Sequence, residues 1–60
     1  MTTIHFYVSD CTREAIHERL DYISQRVPCI ASYSHTVGRI IMKCRREDIP
    51  FIEKELAEFI

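Results

Sequence analysis

A β-hairpin is predicted by residues 29–44, which read CIASYS, then HTVG, then RIIMKC. The two outer blocks have the length and the apolar and β-branched content of short strands. The middle block ends in Gly38, the only glycine of the chain, and a tight hairpin turn needs a residue that adopts a positive φ. We therefore predict strands over residues 29–34 and 39–44 that pair antiparallel around this turn.

An amphipathic helix is predicted immediately before the hairpin. Apolar residues recur there at spacings of four, three and four, as they do on one face of a helix: Ile16, Leu20, Ile23 and Val27. Ser9 and Asp10 offer oxygens that can cap its first turn, and Pro28 ends it because the residue before a proline avoids the helical region. We predict a helix from about Cys11 to Arg26.

Two further elements complete the fold. Residues 3–8 are almost all β-branched or aromatic, which predicts a first strand. A last helix is predicted after Arg45, with Pro50 in its first turn. Its buried stripe is expected to consist of Ile49, Ile52, Leu56 and Phe59. The order β-α-β-β-α predicts the α+β class: one domain over residues 1–60, a two-layer sandwich with a three-stranded sheet and two helices on one face.

This order of elements resembles a truncated ferredoxin-like (split β-α-β) domain, stopped before its fourth strand. The resemblance implies that the third strand lies between the other two and that the first strand lies at an edge. That edge carries no Lys or Pro to discourage pairing. A chain of 60 residues has a thin core and gains stability by burying area between copies. We expect a homodimer through the first-strand edge or through the open sheet face.

The composition excludes several classes of protein. Eight Lys and Arg against nine Asp and Glu give a net charge of −1, which disfavours a dedicated coat for duplex DNA. The hydrophobic content of 47% argues against disorder. The composition also argues against a membrane-spanning segment, and we expect no membrane partner. Three cysteines cannot all pair within one chain, and no secretory leader is recognisable. We expect a reduced, cytoplasmic protein.

No catalytic or cofactor motif is present in the sequence. There is no nucleophile elbow, glycine-rich phosphate loop or HExxH, and the His and Cys residues lack the close spacing of a zinc site. Cys29, His35 and Cys44 flank one hairpin but need not converge. Cys11 in the first turn of a helix would meet unpaired amides that favour thiolate, an effect that Asp10 opposes. We expect no enzyme activity, no metal and no cofactor.

The open face of the sheet is the candidate binding surface. On it we expect Thr3, His5 and Tyr7 from the first strand and Arg39, Ile41 and Lys43 from the third. The second strand contributes either Ile30, Ser32 and Ser34 or Cys29, Ala31 and Tyr33. This face is mixed, partly apolar and locally basic. It resembles the face on which an RNA-recognition domain stacks bases, although the third strand lacks the aromatic pair of that family. The alternative is a half-solvated face or one covered by a partner subunit.

Phe51 falls off the apolar stripe of the last helix, so it is either an interface anchor or a flank of the core. The candidate partner-binding residues are His5, Tyr7, Arg39, Ile41, Lys43 and Phe51. The absence of catalytic motifs and the surplus of apolar surface favour a non-enzymatic regulatory, inhibitor or adaptor protein that binds another protein.

The alternative function is a nucleic-acid-binding regulator. Its contacts would come from the sheet face of a dimer or from Arg13, Arg19 and Arg26 of the first helix. The later half of the chain, from Val27 through the hairpin to the last helix, resembles the strand pair and helix of small Phd-type antitoxins. That resemblance implies a dimer that binds operator DNA and holds a toxin. An oligomeric small-molecule sensor fits the topology, but no residue supports it.

Overall fold

The computed structural model describes residues 1–9 and 12–60 of the chain. The elements are β1 (Thr2–Tyr7), α1 (Arg13–Arg26), β2 (Cys29–Ser34), β3 (Arg39–Cys44) and α2 (Ile49–Leu56). Short 3₁₀ turns at Arg46–Asp48 and Ala57–Phe59 flank α2. The α+β class and the β-α-β-β-α order are confirmed. The bounds of β2 and β3 match the prediction, and β1 begins and ends one residue earlier than predicted.

The three strands form one antiparallel sheet. β3 lies in the centre and pairs antiparallel with both neighbours, in the order β1-β3-β2. The predicted central position of the third strand is therefore confirmed, and β1 and β2 are both edges. Gly38 closes the hairpin at φ +63°, and a Cβ there would lie 2.7 Å from the carbonyl oxygen of Val8. The positive φ and the close backbone approach explain why this position is glycine.

The core lies on one face of the sheet, beneath both helices. Ile40, Met42 and Cys44 alternate along β3 and are fully buried. They join one cluster with residues from the predicted stripes of the two helices: Ile16, Leu20, Ile23, Ile52 and Leu56. Because side chains at alternate strand positions share a face, both helices cover the same side of the sheet. None of the helices in the described residues is both long and apolar enough to cross a bilayer.

The start of α1 differs from the prediction. Thr12 is the N-cap residue, because its hydroxyl oxygen accepts the N–H of Ala15 at 3.1 Å. The predicted capping role of Ser9 is wrong, because α1 begins after Thr12, three residues later. The Ser9 N–H donates instead to the Phe59 carbonyl at 3.1 Å. Asp10 and Cys11 lie outside the described residues, and so does the predicted thiol environment of Cys11.

Arg19 joins the two helices. Its Nη1 donates to the backbone carbonyl of Glu55 at 2.6 Å, its Nη2 pairs with the Glu58 carboxylate, and its guanidinium carbon lies 5.2 Å from the centre of the Phe59 ring. The last carbonyl groups of a helix have no partner within it. Arg19 of α1 therefore completes the C-terminal end of α2.

Candidate binding surfaces

Five of the six candidate residues lie together on the open face of the sheet. The strand register arranges nine side chains there in three rows: Thr3, Lys43 and Ile30; His5, Ile41 and Ser32; Tyr7, Arg39 and Ser34. The face of β2 that the sequence left undecided is thus settled. Ile30, Ser32 and Ser34 are exposed on this side, while Cys29 and Tyr33 pack against the core on the other.

The open face is positively charged and partly apolar. All nine Asp and Glu residues lie outside the three strands, whereas Arg39 and Lys43 belong to the central strand. Tyr7 and Ile30 are 66% and 67% exposed. The Nε–H donor of Arg39 is buried and finds no hydrogen-bond partner among the described residues. The face therefore offers cations and an aromatic ring, and its three strands carry no carboxylate to oppose an anion.

Phe51, the sixth candidate, lies apart from this face. It belongs to α2 and packs, half-buried, against the core on the helix side of the sheet. Its packing matches the reading as a flank of the core. A role for its exposed part as an interface anchor stays a prediction.

The other basic residues singled out by the sequence are largely engaged within the chain. Arg45 donates to the Asp48 carboxylate at 2.8 Å, and this hydrogen bond raises the pKa of the Arg45 guanidinium. Arg26 stacks over the Tyr22 ring at 4.9 Å from its centre. Arg19 is held by α2, as described above. The first helix therefore does not present its arginines as an unengaged row.

One hydrogen bond identifies which backbone groups of β1 point away from the sheet. The Val8 N–H donates to the Gly38 carbonyl at 2.8 Å, which extends the β1–β3 ladder by one pair. In an antiparallel ladder, alternate residues direct both backbone groups to the same neighbour. Thr3, His5 and Tyr7 therefore direct their N–H and C=O groups outward. Within residues 1–9 and 12–60, these groups have no backbone partner.

The same alternation identifies the outward groups of β2. Since the Gly38 carbonyl faces β1, the odd-numbered residues of β3 face β2, where they pair with Ser34, Ser32 and Ile30. The outward N–H and C=O groups of β2 therefore belong to Cys29, Ala31 and Tyr33. Their side chains lie on the helix side of the sheet. β2 contains no charged residue and no proline that would protect this edge.

A groove of about 190 Å³ runs between α1 and the edge of β2. It is lined by His17, Leu20, Asp21, Ser24, Ala31 and Tyr33. Ala31 is exposed although its side chain is on the helix side, because α1 leaves it uncovered. A more open depression of about 480 Å³ lies at the start of α1, and the described residues that line it are polar: Thr12, Arg13, Glu14 and His35.

Tyr33 forms one wall of this groove and is fixed in place by two histidines. Its hydroxyl shares a hydrogen bond of 2.9 Å with Nδ1 of His35, and its ring meets the His17 ring edge-on with centres 6.0 Å apart. Sequence reasoning missed this groove. The available signal was the small Ala31 between Cys29 and Tyr33 on one side of a strand.

The two described cysteines face each other across β2 and β3. Cys29 lies opposite Cys44 in the register, and both are free thiols. Burial raises the pKa of each thiol, and the neighbouring Cys44 and Asp48 raise that of Cys29 further. His35 lies at the other end of the hairpin, about 20 Å along the strand from Cys29. In the described part of the chain, no three His, Cys, Asp or Glu side chains are grouped to hold a metal ion.

Comparison with protein-family models, with curated proteins and with solved structures gave no significant match.

Proposed function

We propose that the protein is a small cytoplasmic, non-enzymatic binding module that acts as a homodimer and recognises another protein. The observation that supports this most strongly is the outward backbone of Thr3, His5 and Tyr7 on β1, which has no backbone partner among the described residues. Such an edge is a template for pairing with another strand. In the dimer, a second copy of β1 lies where a ferredoxin-like domain has its fourth strand.

The outward groups favour one register for this pairing. An antiparallel copy can place Thr3 opposite Tyr7 and His5 opposite His5, so that each facing pair exchanges two hydrogen bonds. On the helix side, the same register sets Ile4 beside Phe6 of the copy, an aliphatic–aromatic pair of the kind that stabilises sheets. It also leaves the Ser9–Phe59 hydrogen bond intact. The product is a continuous six-stranded sheet.

Charge favours the edge over the open face as the dimer contact. Stacking two open faces would bring Arg39 and Lys43 of both copies together, and the strands supply no carboxylate to neutralise them. Like charges juxtaposed at an interface cost several kcal/mol. Pairing through β1 avoids this cost and leaves both open faces accessible. It also leaves a β2 edge at each end of the sheet, which suits an adaptor or inhibitor with two equivalent sites.

The dimer is tested by native mass spectrometry and sedimentation equilibrium on two matched proline variants. His5→Pro removes an outward N–H from β1, and Ala31→Pro removes one from β2. The first should lose two interchain hydrogen bonds and weaken the dimer roughly 5- to 100-fold. The second should keep the doubled mass. His5→Lys, which sets two cations opposite each other without constraining the backbone, should also weaken the dimer.

Circular dichroism on each variant verifies that the chain is folded. A doubled mass in folded His5→Pro and His5→Lys would contradict pairing through β1. Loss of the doubled mass in Ala31→Pro alone would assign the contact to β2 instead.

The second candidate function is single-stranded nucleic acid binding on the open face. It is favoured by the cations Arg39 and Lys43 of the central strand and by the exposed Tyr7 ring, which lies beside Arg39 in the register. Aromatic rings stack on bases, and guanidinium groups bind phosphate. Dimerisation through β1 would place two such faces side by side.

This second function is tested with a fluorescent single-stranded oligonucleotide at 20–200 mM salt. Two phosphate contacts predict a slope of about −1.4 in log K against log salt. The variant Arg39→Ala/Lys43→Ala should abolish binding, while Arg46→Ala/Lys54→Ala, which removes the same charge elsewhere, should retain it. Equal losses in both variants would mean that only net charge matters, and a salt-independent signal would exclude phosphate contacts.

A further inference from the structure

We propose that the β2 edge and the groove beside it bind an extended peptide segment that carries Arg or Lys opposite Ala31. The inference rests on the proposed protein-binding function and names the class of partner for it. The peptide adds to β2 as an antiparallel strand. Its central cationic residue lies in the groove between α1 and β2.

The backbone of β2 provides the pairing. Ala31 and Tyr33 direct their N–H and C=O groups outward, and no described residue pairs with them through the backbone. Residues directly opposite each other in an antiparallel pair have their side chains on the same face. A peptide residue opposite Ala31 therefore places its side chain on the helix side, over the groove.

The shape of the groove selects a long side chain at that position. Ala31 leaves its floor open, Leu20 supplies an apolar side, and Tyr33 is held as a wall by His17 and His35. The volume of about 190 Å³ accommodates one long side chain. Arg and Lys carry an apolar stem below a charged head, so that the stem can cover Ala31 and Leu20.

The charge of the groove selects a cation. Asp21 is its only carboxylate, and it forms no ion pair with any residue that the structure describes. The nearby Ser24 hydroxyl does not occupy the Asp21 carboxylate, because it donates instead to the Asp21 backbone carbonyl at 2.9 Å. The Asp21 carboxylate therefore remains available to the head of the bound side chain.

The test uses two synthetic seven-residue peptides that differ in one group. Each has threonine at its odd positions and valine at its second and sixth positions; the fourth residue is arginine in one peptide and citrulline, its neutral near-isostere, in the other. The peptides are titrated into ¹⁵N-labelled protein and followed by NMR. We expect the arginine peptide to bind about fivefold more tightly, with the largest shifts at the Ala31 and Tyr33 amides.

Two variants locate the effect. Asp21→Asn should reduce the arginine-to-citrulline affinity ratio to about one, whereas Glu18→Gln, which removes a charge from α1 outside the groove, should preserve it. Ala31→Pro should abolish binding of both peptides while the doubled mass persists. The dimer is measured without peptide, so a failed groove in a protein of doubled mass is distinguishable from a failed dimer.

The proposal is overturned by any of three results with folded protein. These results are that neither peptide binds at millimolar concentration, that both bind with equal affinity, or that the preference for arginine persists in Asp21→Asn. Shifts that centre on His5 and Tyr7 instead of Ala31 and Tyr33 would place the peptide on β1 and also overturn it.

Discussion

The two edges of the sheet expose similar backbone groups in different surroundings. At β1, the outward residues Thr3, His5 and Tyr7 carry their side chains on the open face, away from the helices. At β2, the outward residues include Ala31 and Tyr33, whose side chains lie on the helix side, next to α1. A strand added to β1 therefore places the side chains of its hydrogen-bonded residues on the open face, and a strand added to β2 places those side chains beside α1.

The difference arises from the central strand. Each residue of β3 directs its backbone groups to one neighbour only, so the even-numbered residues bond to β1 and the odd-numbered ones to β2. The two outer strands consequently expose residues of opposite side-chain orientation. One three-stranded sheet thus has one edge whose outward residues carry their side chains on the open face and another whose outward residues border a groove.

The largest loss of stability is expected from a substitution in the core of β3, the strand that pairs with both edge strands. Ile40 is fully buried in β3, and Ile40→Ala should lower the free energy of unfolding by about 2–5 kcal/mol. Ile41→Ala, next in the same strand but on the open face, should cost under about 1 kcal/mol. Urea unfolding followed by circular dichroism measures both. Similar losses in the two variants would contradict the assignment of faces on which the comparison of edges depends.

A smaller loss of stability is expected from a substitution at Gly38, where the pairing of β1 with β3 ends. Gly38→Ala introduces a Cβ 2.7 Å from the Val8 carbonyl oxygen at a positive φ, and we expect a loss of about 1–3 kcal/mol in unfolding free energy. Hydrogen exchange at the Val8 amide should accelerate because its acceptor is displaced. Thr36→Ala in the same turn is the control. An unchanged Val8 exchange rate would remove the basis for naming the outward residues of β1.

Substituting Arg19 should accelerate hydrogen exchange more on the β1 side of the sheet than in β2. Arg19→Met removes the hydrogen bond to the Glu55 carbonyl and the pair with Glu58, so the free energy of unfolding should fall by about 1–2 kcal/mol. Because Phe59 follows α2 and accepts from Ser9, exchange at the Ser9 amide should rise more than at the Ser32 amide, which pairs with Ile41 of β3. Equal acceleration at both amides would show that α2 does not act selectively on the β1 side.

The smallest expected effect is the change of stability with pH that comes from the buried Cys44 thiol. Burial raises the pKa of Cys44, and Asp48 raises it further. The folded state therefore holds the thiol proton more tightly than the unfolded state. This contribution to stability is complete below the ordinary thiol pKa of about 8.5 and is lost as the pH rises through the folded value.

The difference is measured as Tm between pH 7 and pH 10. Wild-type Tm should fall more steeply than that of Cys44→Ala, in which this proton is absent. Cys29→Ser should also reduce the slope, because burial and the neighbouring Cys44 and Asp48 raise the pKa of the Cys29 thiol. Parallel pH profiles in the wild type and Cys44→Ala would contradict the expected proton linkage.

The sequence predicted the elements well where local chemistry is strong. Pro28 and Gly38 delimit β2 and β3, whose bounds agree with the prediction. The spacing of Ile16, Leu20 and Ile23 identified the buried side of α1. These signals act within a few residues of chain and do not depend on tertiary contacts.

Features set by distant residues were not predictable in this way. Ser9 offered a cap oxygen in sequence, but Thr12 caps α1, and Ser9 bonds through its N–H to Phe59, which lies 50 residues later. One side of β2 carries Cys29, Ala31 and Tyr33, and the other carries Ile30 beside two serines, so each side has apolar residues and the pattern alone left the inward face open. The groove at Ala31 depends on how far α1 extends over the sheet, which no local pattern reports.

The strand register also bears on the order in which the chain folds. Ser34 pairs with Arg39 only five residues away, whereas Thr2 pairs with Cys44 across 42 residues. Closing the longer loop costs about 2 kcal/mol more entropy, so the hairpin should form early and β1 should dock last. Until then, the vacant side of β3 can accept β1 from another molecule. Refolding at high concentration should therefore yield domain-swapped species that exchange this strand.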